Sequence, residues 1–156
     1  ANDGCEDLRA ELDYLTVGGS NVLKVVFKML NGSSAPRGVG PGFIVFVQVD
    51  GDHRNGALYS DGFQRKRTPH EAWTRLGDWG AIVNPDTGRA LAMVSGSGKG
   101  LLGLTDWGKD GGHFWFDDDL TIPPHGTCEL VAYLALAESL EEAKRYEAMK
   151  QWTMEQ

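Results

Sequence analysis

Five tryptophans occur in the chain, and four of them, Trp73, Trp79, Trp107 and Trp115, fall in a glycine-dense middle stretch. Beside them stand Asp78, Asp106, His113 and Asp117. An indole offers a flat apolar face, while carboxylates and imidazole supply hydrogen-bonding groups. That combination suits a ring with apolar C–H faces and hydroxyls at its edge, which is the chemistry of a sugar. Gly-Asp-Trp-Gly at 77–80 and Thr-Asp-Trp-Gly at 105–108 share an Asp-Trp-Gly core. On a turn, such a core presents a stacking face and an acceptor side by side. The candidate binding residues are therefore Asp78, Trp79, Asp106, Trp107, His113, Trp115 and Asp117. The competing expectation is that these indoles fill a hydrophobic core, the commoner fate of aromatics.

Acid–base chemistry has two candidate pairs, His70 with Glu71 and His113 with Asp117. A histidine and a carboxylate can serve as general acid and base. No Gly-x-Ser-x-Gly, His-Glu-x-x-His or Cys-x-x-Cys motif is present. Ser95–Gly100 (SGSGKG) fails as a phosphate loop, because Met93 stands where the first Gly is required and Gly100 follows the Lys. Asp50 and Asp52 have calcium-loop spacing, but Arg54 occupies the fifth position and no Glu the twelfth. No catalytic residue, metal site or cofactor is assigned.

The elements that would position these residues are mostly strands. Leu23, Val25, Phe27 and Met29 alternate with Lys24, Val26 and Lys28, the period of a half-buried strand. Phe43 to Val49 is apolar on both faces except at Gln48, which predicts a strand inside a covered sheet. The loop Asn31-Gly32-Ser33-Ser34-Ala35-Pro36 joins them with turn-forming residues. Leu8 to Tyr14 fits a strand or a helix; the strand is preferred, because Val17–Val22 reads as a hairpin turn into Leu23. Trp73–Val83 and Arg89–Val94 read as a hairpin around Asn84-Pro85-Asp86-Thr87-Gly88. His113–Phe116 reads as an aromatic strand. The last strand carries Cys128, Leu130, Ala132, Leu134 and Leu136 on one face and Glu129, Val131, Tyr133 and Ala135 on the other. After it the period changes: Ser139 and Glu142 form a capping box, and Leu140, Ala143, Tyr146, Met149 and Trp152 recur every three residues. A helix over about 139–153 is expected, docked on the sheets or on a partner. The fold class is all-β, an antiparallel β-sandwich with one C-terminal α-helix, in a single domain over 1–156.

The alternating strand that ends in Asn, then small polar residues, then Pro (Leu23–Pro36) resembles a strand-and-turn of galactose mutarotase-like (supersandwich) domains. Leu120–Gly126 and the long strand after it are similar to the late part of such sugar-processing sandwiches. The resemblance implies a carbohydrate-binding or accessory domain. It implies, as alternatives, a carbohydrate-active enzyme of mutarotase, epimerase or glycosidase type, or a structural module. Relatives carry the matched strand near the middle of a domain of about twice this length. Here it begins at residue 23, so the chain resembles the later portion of such a domain. Standing alone, it would have an open edge or face that a second copy, as a homodimer, or a parent polypeptide could cover.

Composition narrows the partners. The 156 residues are 41% hydrophobic and 24% charged, which describes a folded domain with a real core. A net charge of −7 argues against a nucleic-acid binder. Arg65-Lys66-Arg67 is the one basic cluster and reads as a solvated loop. No apolar run approaches the roughly 18 residues a membrane span requires, and the first residues carry no signal-peptide pattern. A start at Ala1 fits processing or excision from a longer protein. Cys5 and Cys128 could form one bridge only if the fold brings them together. Two cysteines leave the compartment open. The expected ligand is a carbohydrate.

Overall fold

The structure is a computed structural model that describes residues 6–39, 42–47, 49–50, 57–66, 73–96, 101–106, 112–117 and 120–151. Its strands are β1 (Leu8–Thr16), β2 (Val22–Asn31), β3 (Arg37–Val39), β4 (Gly42–Val47), β5 (Ala57–Ser60), β6 (Gln64–Lys66) and β7 (Trp73–Gly77). They continue with β8 (Trp79–Val83), β9 (Ala90–Ser95), β10 (Leu101–Asp106), β11 (Gly112–Asp117), β12 (Leu120–Ile122) and β13 (Thr127–Ala137). Helix α1 (Leu140–Arg145) and a 3₁₀ segment (Tyr146–Gln151) follow. A seven-stranded sheet runs β1-β2-β13-β9-β8-β5-β6, a four-stranded sheet runs β4-β11-β10-β7, and β12 pairs with β3. Every pairing is antiparallel. This is the antiparallel sandwich with a C-terminal helix that the sequence predicts.

The seven-stranded sheet is organised by β13, which is buried along most of its length. Its odd-numbered positions join Val22, Val26, Trp79, Ala81, Ala92 and Val94 in one cluster, closed over by Ala143 and Met149 of the C-terminal helical segment. Its even-numbered positions Leu130, Ala132 and Leu134 join Val25, Ile82 and Met93 in a second cluster on the opposite face. The alternation read from the sequence is therefore the division between two cores.

The β1–β2 hairpin forms as expected, with Leu8 opposite Asn31 and Thr16 opposite Leu23. The Asn31–Pro36 turn is held by one side chain. Asn31 is fully buried. Its Nδ2 donates to the carbonyls of Ala35 (2.8 Å), Ile122 (3.2 Å) and Pro123 (3.1 Å). Its Oδ1 accepts from the Ser33 backbone N–H at 3.0 Å and the Ser33 hydroxyl at 2.7 Å. The stretch that carries the family resemblance is thus a clamp that ties β2 to the end of β12.

Two expectations need correction. β4 does not sit inside its sheet: it is an edge strand that pairs with β11 alone among the described strands. It lies in the other sheet from β2, and β3, which pairs with β12, stands between them in the chain. The stretch 73–83 is not one arm of a hairpin. It breaks at Gly77, whose φ of 88° is a left-handed conformation suited to glycine, and passes from the four-stranded sheet (β7) to the seven-stranded one (β8). The β8–β9 hairpin itself forms, with Ile82 opposite Leu91 and Val83 opposite Ala90. Its turn closes through Gly88 N–H donating to the Asn84 carbonyl at 2.9 Å.

The helix starts where expected, with the Ser139 hydroxyl accepting from the Glu142 N–H at 3.2 Å. The returning Glu142 carboxylate accepts from the Glu138 N–H at 2.8 Å, one residue earlier than a strict capping box. The α-helical part is shorter than 139–153 and tightens into 3₁₀ from Tyr146 to Gln151. Side chains three apart eclipse in a 3₁₀ helix, so the three-residue stripe suits that geometry. Trp152 lies outside the described residues. No described helix is long and apolar enough to cross a membrane.

Two measurements test these packing assignments. Asn31→Ala should lower unfolding free energy by about 2–3 kcal/mol, because it removes a buried side chain that donates to the Ala35, Ile122 and Pro123 carbonyls and accepts from Ser33. Exposed Ser34→Ala should stay within about 0.5 kcal/mol in the same urea titration. Burial pushes the Tyr133 phenol above its ordinary value. The native state therefore holds that proton more tightly than the unfolded chain. Its contribution is complete below the ordinary value of about 10 and is lost as pH rises through that value toward the folded one. Tyr133→Phe should flatten the fall of the urea midpoint above pH about 10.

Candidate functional site

The four-stranded sheet is built by register. His113 lies opposite Phe46 on one side and Thr105 on the other, and Thr105 in turn lies opposite Trp73. In the next row on the same face Ile44, Trp115, Gly103 and Arg75 are aligned, with a register shift beside Gly103. The third row is Gly42, Asp117 and Leu101. Directly opposed residues in an antiparallel pair share a face, as do residues two apart on one strand. One face therefore carries the positions of Trp73, Arg75, His113, Trp115 and Asp117 together, with Ile44, Phe46, Leu101 and Thr105. The other carries those of Phe43, Val45, Val47, Leu102, Leu104, Phe114 and Phe116, with Thr74 and Asp106. Both tryptophans, the arginine and the histidine are thus on the first face, although the two faces are interleaved residue by residue along the same strands.

Spacing on the polar, aromatic face has a chemical consequence. Neighbouring strands are about 4.8 Å apart, so positions 75 and 115 are separated by roughly 10 Å. Between them is Gly103, which has no side chain. The face thus combines two indole-bearing positions, a guanidinium-bearing position and a gap one strand wide. His113 and Asp117 are four residues apart on β11, roughly 13 Å along the strand. They are too distant for a direct hydrogen-bonded pair, so they could act together only from two ends of something lying across Trp115.

The candidate residues divide accordingly. His113, Trp115 and Asp117 share one face. Asp106 is opposite Gly112, which places it on the other face, so it does not join them. Asp78 is at the bend between β7 and β8, where its carbonyl accepts from the Ser95 N–H at 2.8 Å. Trp79 is a correction. It is fully buried, its indole N–H donates to the Ala143 carbonyl at 3.1 Å, and Phe63 meets its ring edge-on at 5.0 Å. A ring enclosed in that way belongs to the core and has no face for a ligand. Trp107, His70, Glu71, Asp52, Arg67 and Cys5 lie outside the described residues.

Arg75 and Thr105 are the residues that sequence reasoning missed, and Trp73 was seen only as part of the aromatic stretch. The signal was the alternation Trp73-x-Arg75, obscured because 73–83 reads as one strand. Asp50 is engaged elsewhere: Arg89 pairs with it at 2.6 Å and the Thr87 hydroxyl donates to it at 2.7 Å. Those contacts anchor the β8–β9 turn. Among the described residues no group of three or more His, Cys, Asp or Glu is arranged to hold a metal.

No family model and no curated protein matches the chain. Solved structures do resemble it. A putative aldose 1-epimerase from Klebsiella pneumoniae superposes with a TM-score of 0.65 at 12% identity, over 92% of this chain and 50% of that one. A galactose mutarotase-like protein from Lactobacillus casei gives 0.53 at 12% identity, over 83% of this chain and 63% of that one. A TPR-domain containing protein from Parabacteroides distasonis gives 0.57 at 11% identity, over 84% of this chain and 30% of that one. The fold is thus like the galactose mutarotase-like β-sandwich. The chain spans less than two thirds of the length of each of these proteins.

The placement of Trp79 is open to direct test. Trp79→Phe should cost about 2 kcal/mol through the lost hydrogen bond and a small cavity. In the wild-type protein, iodide should leave a blue-shifted, unquenched emission component that this substitution removes. Complete quenching of all indoles by iodide would contradict a core position.

Proposed function

We propose that the chain is a carbohydrate-binding or accessory β-sandwich domain of a sugar-processing protein. Its ligand-facing surface is the face of the four-stranded sheet that carries Trp73, Arg75, His113, Trp115 and Asp117. The observation that carries this reading is the register that gathers these five positions on one face. Hydrophobic burial favours turning the opposite face, with its phenylalanines, valines and leucines, toward the seven-stranded sheet. The aromatic face is then the one left for a ligand. An indole stacks on the apolar side of a pyranose, a guanidinium donates to ring and exocyclic oxygens, and a carboxylate accepts from hydroxyls. The likeness in fold to a putative aldose 1-epimerase and to a galactose mutarotase-like protein supports the same class of ligand.

A second reading, an enzyme acting on a carbohydrate, draws on one feature: His113 and Asp117 flank Trp115 on a shared face. An acid and a base at opposite ends of a bound ring could move protons without touching each other. The two readings part on turnover. A binding domain holds its sugar unchanged, whereas the enzyme converts it and loses conversion, but not its fold, in His113→Ala.

Tryptophan fluorescence titrated with a panel of plant and microbial glycans should show saturable quenching or enhancement with at least one of them. Trp115→Ala should weaken that response roughly tenfold, the scale of one lost aromatic contact. Trp79→Phe should leave the affinity unchanged. A flat response across the panel, or an affinity untouched by Trp115→Ala and Trp73→Ala alike, would defeat the proposal.

A further inference from the structure

Strand β1 ends the seven-stranded sheet and pairs with β2 alone among the described strands. Among the described residues, one side of its backbone is therefore a hydrogen-bonding edge with no strand paired to it. It is also long, nine residues, and apolar on one face: Leu8, Ala10, Leu12 and Tyr14. Leu12 is 37% exposed and Tyr14 62%. Natural sheets protect such edges with proline, a bulge or charged side chains, lysine above all; β1 has no proline, bulge or lysine, and its charges, Arg9, Glu11 and Asp13, are of both signs and can pair with those of a second copy. On its other face Arg9, Glu11 and Asp13 alternate, and Asp13 pairs with Lys28 of β2 at 3.0 Å.

We propose that this edge is an isologous dimer interface, in which β1 of a second copy pairs antiparallel with it about a twofold axis at Glu11. The charge pattern selects that register. An axis at Leu12 would set Glu11 against the partner's Asp13. An axis at Ala10 would set Arg9 against the partner's Glu11 but Asp7 against the partner's Asp13, two like-charge pairs by symmetry where the axis at Glu11 has one. The axis at Glu11 sets Arg9 against the partner's Asp13, twice by symmetry, and matches Leu8 with the partner's Tyr14 and Ala10 with the partner's Leu12. All four apolar positions of the strand then meet apolar positions. Arg9 has no ion-pair partner among the described residues, and this register provides one. Only Glu11 meets its own kind, and Lys28 stands opposite it on β2 in each copy. The two sheets become one continuous sheet, with the exposed apolar margins of both copies side by side.

The interface makes a charge-swap prediction that a non-specific sticky edge does not. In sedimentation equilibrium the wild-type chain should associate to a dimer. Arg9→Asp sets acid against acid, and Asp13→Arg sets base against base. Each variant alone should dimerise roughly tenfold more weakly. An equimolar mixture of the two restores both opposite-charge pairs and should associate at close to wild-type strength. Leu12→Lys, a charge on the edge itself, should give a monomer. Far-UV circular dichroism and thermal unfolding check that every variant remains folded, since all three positions involved are on the edge strand. A wild-type monomer at every soluble concentration overturns the proposal and leaves the edge to strands of another polypeptide. So does a dimer that survives Leu12→Lys, or a mixture of the charge variants that fails to associate.

Discussion

Two-sided burial of β13 is the constraint on which the rest of the structure depends. An eleven-residue strand with apolar residues at both parities cannot face water on either side. One face is closed by the C-terminal helical segment through Ala143 and Met149. The other is closed by a second layer, which the four-stranded sheet provides. Removing either cover would expose a contiguous apolar surface in the middle of the sheet. The short α-helix and its 3₁₀ continuation are therefore part of the sandwich and not an appendage, which is why a core tryptophan donates its N–H to the helix backbone.

The second layer has to be reached by a chain that is already committed to the first. At Gly77 this is done within a single residue. Before it, β7 pairs with β10 in the four-stranded sheet; after it, β8 pairs with β9 and β5 in the seven-stranded one. A left-handed φ is inexpensive for glycine and strained for other residues. The consequence for function is a division of labour between neighbouring indoles. Trp73 and Trp79 would share a face if 73–83 were one continuous strand, because both have odd numbers. The break sends Trp73 to the face with His113 and Trp115 and Trp79 to the core.

That break also marks where the sequence stops being informative. Alternation located β1, β2 and β13 because each runs uninterrupted, and in β2 and β13 both faces also reach a core. The Asn31 turn and the Ser139 cap were legible because local hydrogen bonding sets them. The assignment of strands to sheets was not legible. It depends on which of several similar apolar runs pair across long sequence separations, and local preference is silent about that. Two identical Asp-Trp-Gly cores could not be ranked for the same reason. Burial of Trp79 is decided by residues 64 positions away in the chain.

For the candidate site, what matters is less the number of aromatics than the fact that register sorts them. Along β11 the residues alternate His113, Phe114, Trp115, Phe116, Asp117. Read in sequence this is an aromatic run with polar ends. Read across the sheet it is two surfaces, Phe114 and Phe116 aligned with Val45 and Phe43, and His113 and Trp115 aligned with Phe46 and Ile44. A sheet that served only as a cover for β13 would need one apolar face, and its other face could be uniformly small and polar. Here the register gathers on that other face the positions of Trp73, Trp115, Arg75, His113 and Asp117, with Ile44, Phe46 and Leu101 among them. The proposed ligand surface rests on that sorting by register.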